Sequence, residues 1–299
     1  MIKVNKGEFS VNSFPDETKH IKYNKETVKE VYMTWLYEGD HEMVNLMYMV
    51  NHFKSLGIEV NLIMPYIPNA RMDRVHNPDT EVFTLKYFCK FINDLNFKQV
   101  IVFDPHSDVS AALLDRAVKL SLAGALRYAI AEANPGVIFF PDAGAMKRYS
   151  DIIKYVYEPY KERLANVKMA YGNKVRDWDT GEIKGLEVVG EIPNGAKVLM
   201  IDDICSYGGT MYYSAKKLKE LGAGDIEMYV SHCENSIVDP EKGKIFKEDG
   251  LISRVYTTDS ILTVEHPKIK LVRRFAELED TAVTVSYTHL RAHETLRHL

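Results

Sequence analysis

Asp202-Asp203-Ile204-Cys205-Ser206-Tyr207-Gly208-Gly209-Thr210 follows directly on the apolar run KVLMI at 197–201. Glycines at 208 and 209 let the backbone approach a ligand and adopt torsions that a side chain forbids. A helix beginning there offers unpaired N–H groups and the positive end of its dipole, a ready site for phosphate. Thr210 adds a hydroxyl that can donate to the ligand or cap the helix. The paired carboxylates would repel a phosphate, so they suit vicinal sugar hydroxyls, or a magnesium ion bridging to the ligand. A glycine pair alone marks an ordinary tight turn. An apolar strand, two acids, four spacer residues and Gly-Gly-Thr together specify a sugar-phosphate cradle.

Four further segments carry polar residues just after short apolar runs. Arg71 lies in PYIPNARMDR (65–74), where its planar fork suits phosphate oxygens or the face of an adenine. His106, in Asp104-Pro105-His106-Ser107, can bind a metal or hydrogen-bond a phosphate. Asp142 follows FFP (139–141), and Lys174 and Arg176 flank a valine in GNKVR (172–176). Taken singly, these are a solvated turn, a structural histidine and an unremarkable charge pair. Their shared position after strands gives them meaning.

The elements that must position them alternate in type. Apolar strands are expected at 28–36, 59–64, 99–103, 137–140, 168–170, 197–201 and 226–230. Helical spacing marks 40–56, 83–95, 120–132, 147–160 and 211–221. Strands alternating with helices imply mostly parallel sheets covered on both faces, with ligands at the carboxyl ends of the strands. The chain of 299 residues divides into two α/β halves, at 1–118 and 119–284. The last fifteen residues, VSYTHLRAHETLRHL, hold three of the ten histidines and no apolar period, and read as a non-native tail at 285–299.

A net charge of −4 and a pI near 6.2 argue against a nucleic-acid binder, which needs a basic surplus. Three dispersed cysteines lack the paired spacing of a zinc site and suit a reducing compartment. With no secretory leader and no long apolar stretch, a cytoplasmic protein without membrane contact is expected.

Asp202–Thr210 resembles the phosphoribosyl-pyrophosphate motif shared by type I phosphoribosyltransferases and ribose-phosphate pyrophosphokinases. Arg71-Met72-Asp73-Arg74 is similar to the pyrophosphokinases' Ala-Arg-Gln-Asp-Arg segment, and Asp104–Ser107 to their Asp-Leu-His signature. Pro141–Gly144 resembles their Ser-Pro-Asp-x-Gly turn, and 172–176 stands where they carry a basic catalytic loop. Ser231-His232 and Thr257–Ile261 look like two further family segments. The resemblance runs from about Phe14 to Glu277 and points to the pyrophosphokinase branch.

It implies two tandem phosphoribosyltransferase-like domains, each a mostly parallel sheet flanked by helices, with a last helix near 269–278 packing on the first domain. It implies transfer of the β,γ-pyrophosphoryl group of ATP to the anomeric hydroxyl of ribose 5-phosphate, giving 5-phosphoribosyl 1-pyrophosphate and AMP. Phe14, Asp16, Arg71, Asp73 and His106 would hold ATP, and His106 and Asp142 the Mg2+. Asp202, Asp203 and Ser206, Tyr207, Gly208, Gly209 and Thr210 would hold the sugar phosphate. Lys174 and Arg176, with His106, would be catalytic. A homo-oligomer, dimer or hexamer, is implied, with the site completed by a neighbouring subunit.

Three departures loosen the acceptor. Ser206 and Tyr207 replace the family's third acid and a threonine. The adenine motif is reduced to Phe14-Pro15-Asp16-Glu17, with its glutamate one residue early. The catalytic loop NKVRDWDTG is less basic. Pyrophosphorylation of ADP-ribose, a phosphoribosyltransferase that consumes the pyrophosphate, and a non-catalytic regulatory homologue remain open.

Overall fold

In the computed structural model, residues 1–5, 7–25, 28–157, 166–176, 183–247 and 250–275 are described. The chain divides into two compact units, Met1–Ser121 with Arg274–Leu299, and Leu122–Arg273. The tail at 285–299 lies outside the described residues.

The first unit is built on a five-stranded sheet. Its strands are β1 (Ile2–Val4), β4 (Glu30–Trp35), β5 (Glu59–Ile63), β6 (Val100–Phe103) and β7 (Ala117–Leu120), adjacent in that order. β1 is antiparallel to β4, and the other pairings are parallel. β6 is VIVF and wholly buried, the continuous apolar pattern of a strand covered on both faces. The helix α1 (Glu42–Ser55) buries Leu46, Met49, Val50 and Phe53 on one stripe, and α2 (Thr84–Asp94) buries Leu85, Phe88, Cys89 and Ile92. A short α3 (Asp108–Ala112) follows β6. The Trp35 indole N–H donates to the Glu42 carboxylate at 2.8 Å inside this core.

A separate hairpin of β2 (Gly7–Ser13) and β3 (Lys19–Lys25) packs Phe9 and Tyr23, a cross-strand pair, against Phe53 of α1. The sequence gives no sustained apolar signal there, so this hairpin is an addition to the expected fold.

The second unit holds seven strands in the order β10 (Ile183–Val189), β9 (Lys168–Arg176), β8 (Val137–Phe140), β11 (Val198–Cys205), β12 (Ile226–Cys233), β13 (Arg254–Thr258) and β14 (Ile269–Arg273). Only β10, on β9, runs antiparallel among these described strands. The helices are α4 (Ala123–Ala133), α5 (Ala143–Tyr157) and α6 (Gly209–Glu220). β11 and β12 form the buried centre, with every residue of β12 inaccessible.

Three expectations need correction. The segment expected as a last helix at 269–278 is strand β14 at its start, because IKLVR pairs with β13 at the sheet edge. Phe275, which follows it, is fully buried and sits 5.1 Å from the Phe103 ring in the first unit. The polar loop expected after residue 170 is the continuation of β9 to Arg176, held by β10. α5 begins at Ala143 rather than 147, because Asp142 accepts the Ala145 N–H at 2.9 Å and starts the helix straight after the strand.

Candidate active site

In the second unit, β11 lies between β8 and β12, parallel to both, so its carboxyl end opens at the middle of the sheet. The strand runs through both acids to Cys205, four residues beyond the apolar run. Successive strand residues point to opposite faces. Asp203 is buried and meets α5, where the Arg148 guanidinium donates to Asp203 Oδ2 at 2.9 Å. Asp203 Oδ1 accepts the Ile204 N–H at 2.9 Å, and Asp202 Oδ1 accepts the Asp203 N–H at 3.0 Å.

Burial raises the Asp202 carboxyl well above the usual carboxylate range, and the like charges of Asp203 and, more weakly, Asp142 add to the rise. Asp142 is exposed at the end of β8, with Oδ1 on the Ala145 N–H. These three carboxylates therefore share one edge of the sheet.

After β11 the chain turns through Ser206 and the exposed Tyr207 to Gly208, which has φ +80° and caps α6. A Cβ on Gly208 would lie 2.3 Å from Ile245 Cγ1, so both torsion and space require glycine. Gly209, Thr210 and Met211 form the first turn of α6, whose N–H groups have no partner within the helix. The Lys244 N–H donates to the Tyr207 carbonyl at 2.7 Å, and the Lys242 ammonium lies 5.8 Å from the Tyr207 ring centroid. Residues 242–245 thus brace the turn. This buttress carries no strand or helix pattern and was not foreseen. Nor was Arg148, which in sequence is one of three basic residues on an amphipathic helix.

The neighbouring strand ends add a buried polar network. His232 Nδ1 is 2.8 Å from Ser260 Oγ, and the Thr258 hydroxyl donates to the Ser231 carbonyl at 2.7 Å. Lys174 and Arg176 stand two residues apart on β9, opposite Leu186 and Ile183. Gly172 is required for close packing, since a Cβ there would lie 2.7 Å from the Pro141 carbonyl oxygen.

In the first unit, the carboxyl ends of β5 and β6 are joined by the Phe103 N–H donating to the Pro65 carbonyl at 3.0 Å. Arg71 and Asp73 follow β5 in a turn closed by Met72 N–H on the Asn69 carbonyl at 2.9 Å. His106 follows β6, two residues after the buried Asp104, which has φ 39°. These residues lie in the loops that follow two adjacent parallel strands. Phe14 and Asp16 are elsewhere, in the tip of the β2–β3 hairpin. Phe14 is exposed and its ring stacks on His20 at 5.5 Å. Asp16 accepts the Thr18 hydroxyl at 2.7 Å and its N–H at 3.1 Å, and these bonds lower its pKa.

The described residues hold no cluster of three or more His, Cys, Asp or Glu side chains arranged to bind a metal, and no helix long and apolar enough to cross a membrane.

No protein-family profile matches the chain. Curated relatives do. The chain is 26% identical over 278 residues to the ribose-phosphate pyrophosphokinase of Pyrococcus abyssi, covering 90% of this chain and 89% of that protein. It is 26% identical over 233 residues to the enzyme of the same name from Thermococcus kodakarensis, covering 75% and 77%. The chain is a homologue of the ribose-phosphate pyrophosphokinases. The phosphoribosylpyrophosphate synthetase of Mycobacterium smegmatis superposes with a TM-score of 0.70 at 18% identity, over 97% of this chain and 91% of that one. That likeness extends the pyrophosphokinase fold, with its phosphoribosyltransferase-type sheets, to both units.

Proposed function

We propose that this homologue transfers the β,γ-pyrophosphoryl group of ATP to the anomeric hydroxyl of ribose 5-phosphate, with Mg2+, releasing AMP. The observation that carries the proposal is the carboxyl end of β11. There an acid pair runs into a glycine with φ +80° and an open helix start. That end separates the ligand by charge: carboxylates at the sugar hydroxyls, N–H groups at the phosphate.

Asp202 would accept from one ribose hydroxyl, and Asp203, held in place by Arg148, would be the second acid facing the ribose hydroxyls. The amides of 206–210 would take the 5-phosphate. Arg71 would hold ATP phosphates or adenine, with Asp73 supporting the turn and His106 at the phosphates. Lys174 and Arg176 would neutralise charge on the transferred group. Phe14 and Asp16 would reach a nucleotide from the hairpin tip, in an assembly of two or more copies. Such chemistry rests on positioning and charge neutralisation rather than on a covalent protein intermediate.

The donors suit magnesium. In the second unit Asp142 offers the hard oxygen donor that magnesium prefers, and the Asp202 carboxyl, raised first by burial and then by like charges, would gain from a nearby dication. A magnesium ion would neutralise the β- and γ-phosphate oxygens and arrive with them, keeping several waters.

One observation favours a longer acceptor such as ADP-ribose. Tyr207 is 40% exposed at the phosphate turn and has the Lys242 ammonium 5.8 Å from its ring, a surface for a group beyond the 5-phosphate. Incubation with Mg-ATP and either sugar, with AMP quantified by chromatography, tests both readings. AMP release only with ribose 5-phosphate supports the first, and release only with ADP-ribose the second. ATP left intact with both would sink the proposal.

A further inference from the structure

A cavity of about 310 Å3 lies within the first unit between the β2–β3 hairpin and α1. It is lined by Phe9 and Tyr23 from the hairpin, Tyr48 and Met49 from α1, and the basic side chains Lys19 and His52. The periodicities explain why these residues meet. Lys19, Ile21 and Tyr23 alternate along β3 and share its α1-facing side, while Tyr48 and His52 are one helical turn apart.

The floor is rigid. The Phe9 and Tyr23 rings are 4.9 Å apart, and both meet the buried Phe53 edge-on, at 5.8 and 4.9 Å. The Lys19 ammonium is steadied by the Ser13 hydroxyl at 2.9 Å, a neutral partner that leaves its charge and two of its three donors available. Tyr48 is 49% exposed, a large aromatic residue on the wall of a concave site.

Aromatic faces beside a fixed cation suit a ligand that joins a flat heteroaromatic ring to a separate anionic group. The volume is at the lower end of ordinary small-ligand pockets, about 300–1,000 Å3. We propose that this cavity binds a heteroaromatic ring tethered to a phosphate, the class to which nucleoside monophosphates belong. The ring would lie against Phe9, Tyr23 and Tyr48, with the anion on Lys19 and His52. The cavity lining includes neither Arg71, His106 nor any residue of the β11 loop, and the site stands whether or not the proposed reaction does. Ligand held there would tie the hairpin to α1 and so steady the tip that carries Phe14 and Asp16.

The probe is AMP, added to full-length protein with methyl-labelled methionine. The Met49 resonance is assigned as the one lost in Met49→Leu. The expected result is a saturable shift of that resonance with a dissociation constant on the order of 0.1–1 mM. Tyr48→Ala and Lys19→Ala, both at exposed positions, should each weaken it about tenfold. Arg71→Ala, which disables the proposed ATP contact, should leave it in place. Four outcomes overturn the proposal: no shift, a shift retained in Tyr48→Ala but lost in Arg71→Ala, an equal shift with inorganic phosphate alone, or a shift that follows protein concentration rather than AMP. The last would mark a contact between copies of the chain.

Discussion

At Gly208 the torsion and the Ile245 side chain both exclude a Cβ, so Gly208→Ala has to move the turn that opens α6. The expected cost is about 1–3 kcal/mol, seen as a lower Tm, together with a raised KM for the sugar phosphate and little change in the KM for ATP. An unchanged Tm and sugar-phosphate KM would show that the loop does not hold the phosphate as described. Asp202 makes a different kind of prediction. Its folded pKa lies above the ordinary 3.8, so the protonated form favours folding. That contribution is complete below the unfolded value and is lost as pH rises through the folded one. Asp202→Asn should therefore raise the ligand-free Tm at neutral pH, on the order of 2–4 °C for ~1 kcal/mol. The gain should close as pH falls toward the ordinary carboxylate range. A Tm difference independent of pH would remove the argument. The acid pair and the glycines were legible in sequence because their chemistry is local. Arg148 was not, since its ion pair exists only after α5 packs on β11.

The tie between α5 and β11 is the element-scale feature most open to test. Arg148→Ala would leave the buried Asp203 carboxylate without its guanidinium and should destabilise by about 2–4 kcal/mol in urea unfolding. Asp203→Asn in the same background should restore part of the loss, and additive effects would mean the pair is not coupled. Elements with a strong period, such as α1, α2 and the buried strands β6 and β8, were readable from apolar spacing alone. The hairpin strands GEFSVNS and KHIKYNK were not, because alternate positions are polar and only one face meets α1. Residues 172–176 were read as loop from their polarity, yet they continue β9 past its pairing with β8 and pair there with the edge strand β10. β14 was read as helix by analogy, while its own residues, Ile, Leu and Val among lysine and arginine, suit an edge strand.

Across the whole chain, alternating strands and helices announced two α/β units, and each unit holds its own mostly parallel sheet. The division at Ser121 follows from β7, whose Leu120 pairs with Phe103 and so belongs to the first sheet. The return of Phe275 to the first unit depends on a single buried aromatic, which no local pattern could reveal. Phosphorus bookkeeping tests the proposed transfer most directly. With Mg-ATP and acceptor sugar, 31P NMR should show AMP and a diphosphate ester on the anomeric carbon appearing in equal amounts, with neither formed in the absence of acceptor. ADP with a sugar 1-phosphate, or a sugar pyrophosphate consumed rather than made, would contradict it.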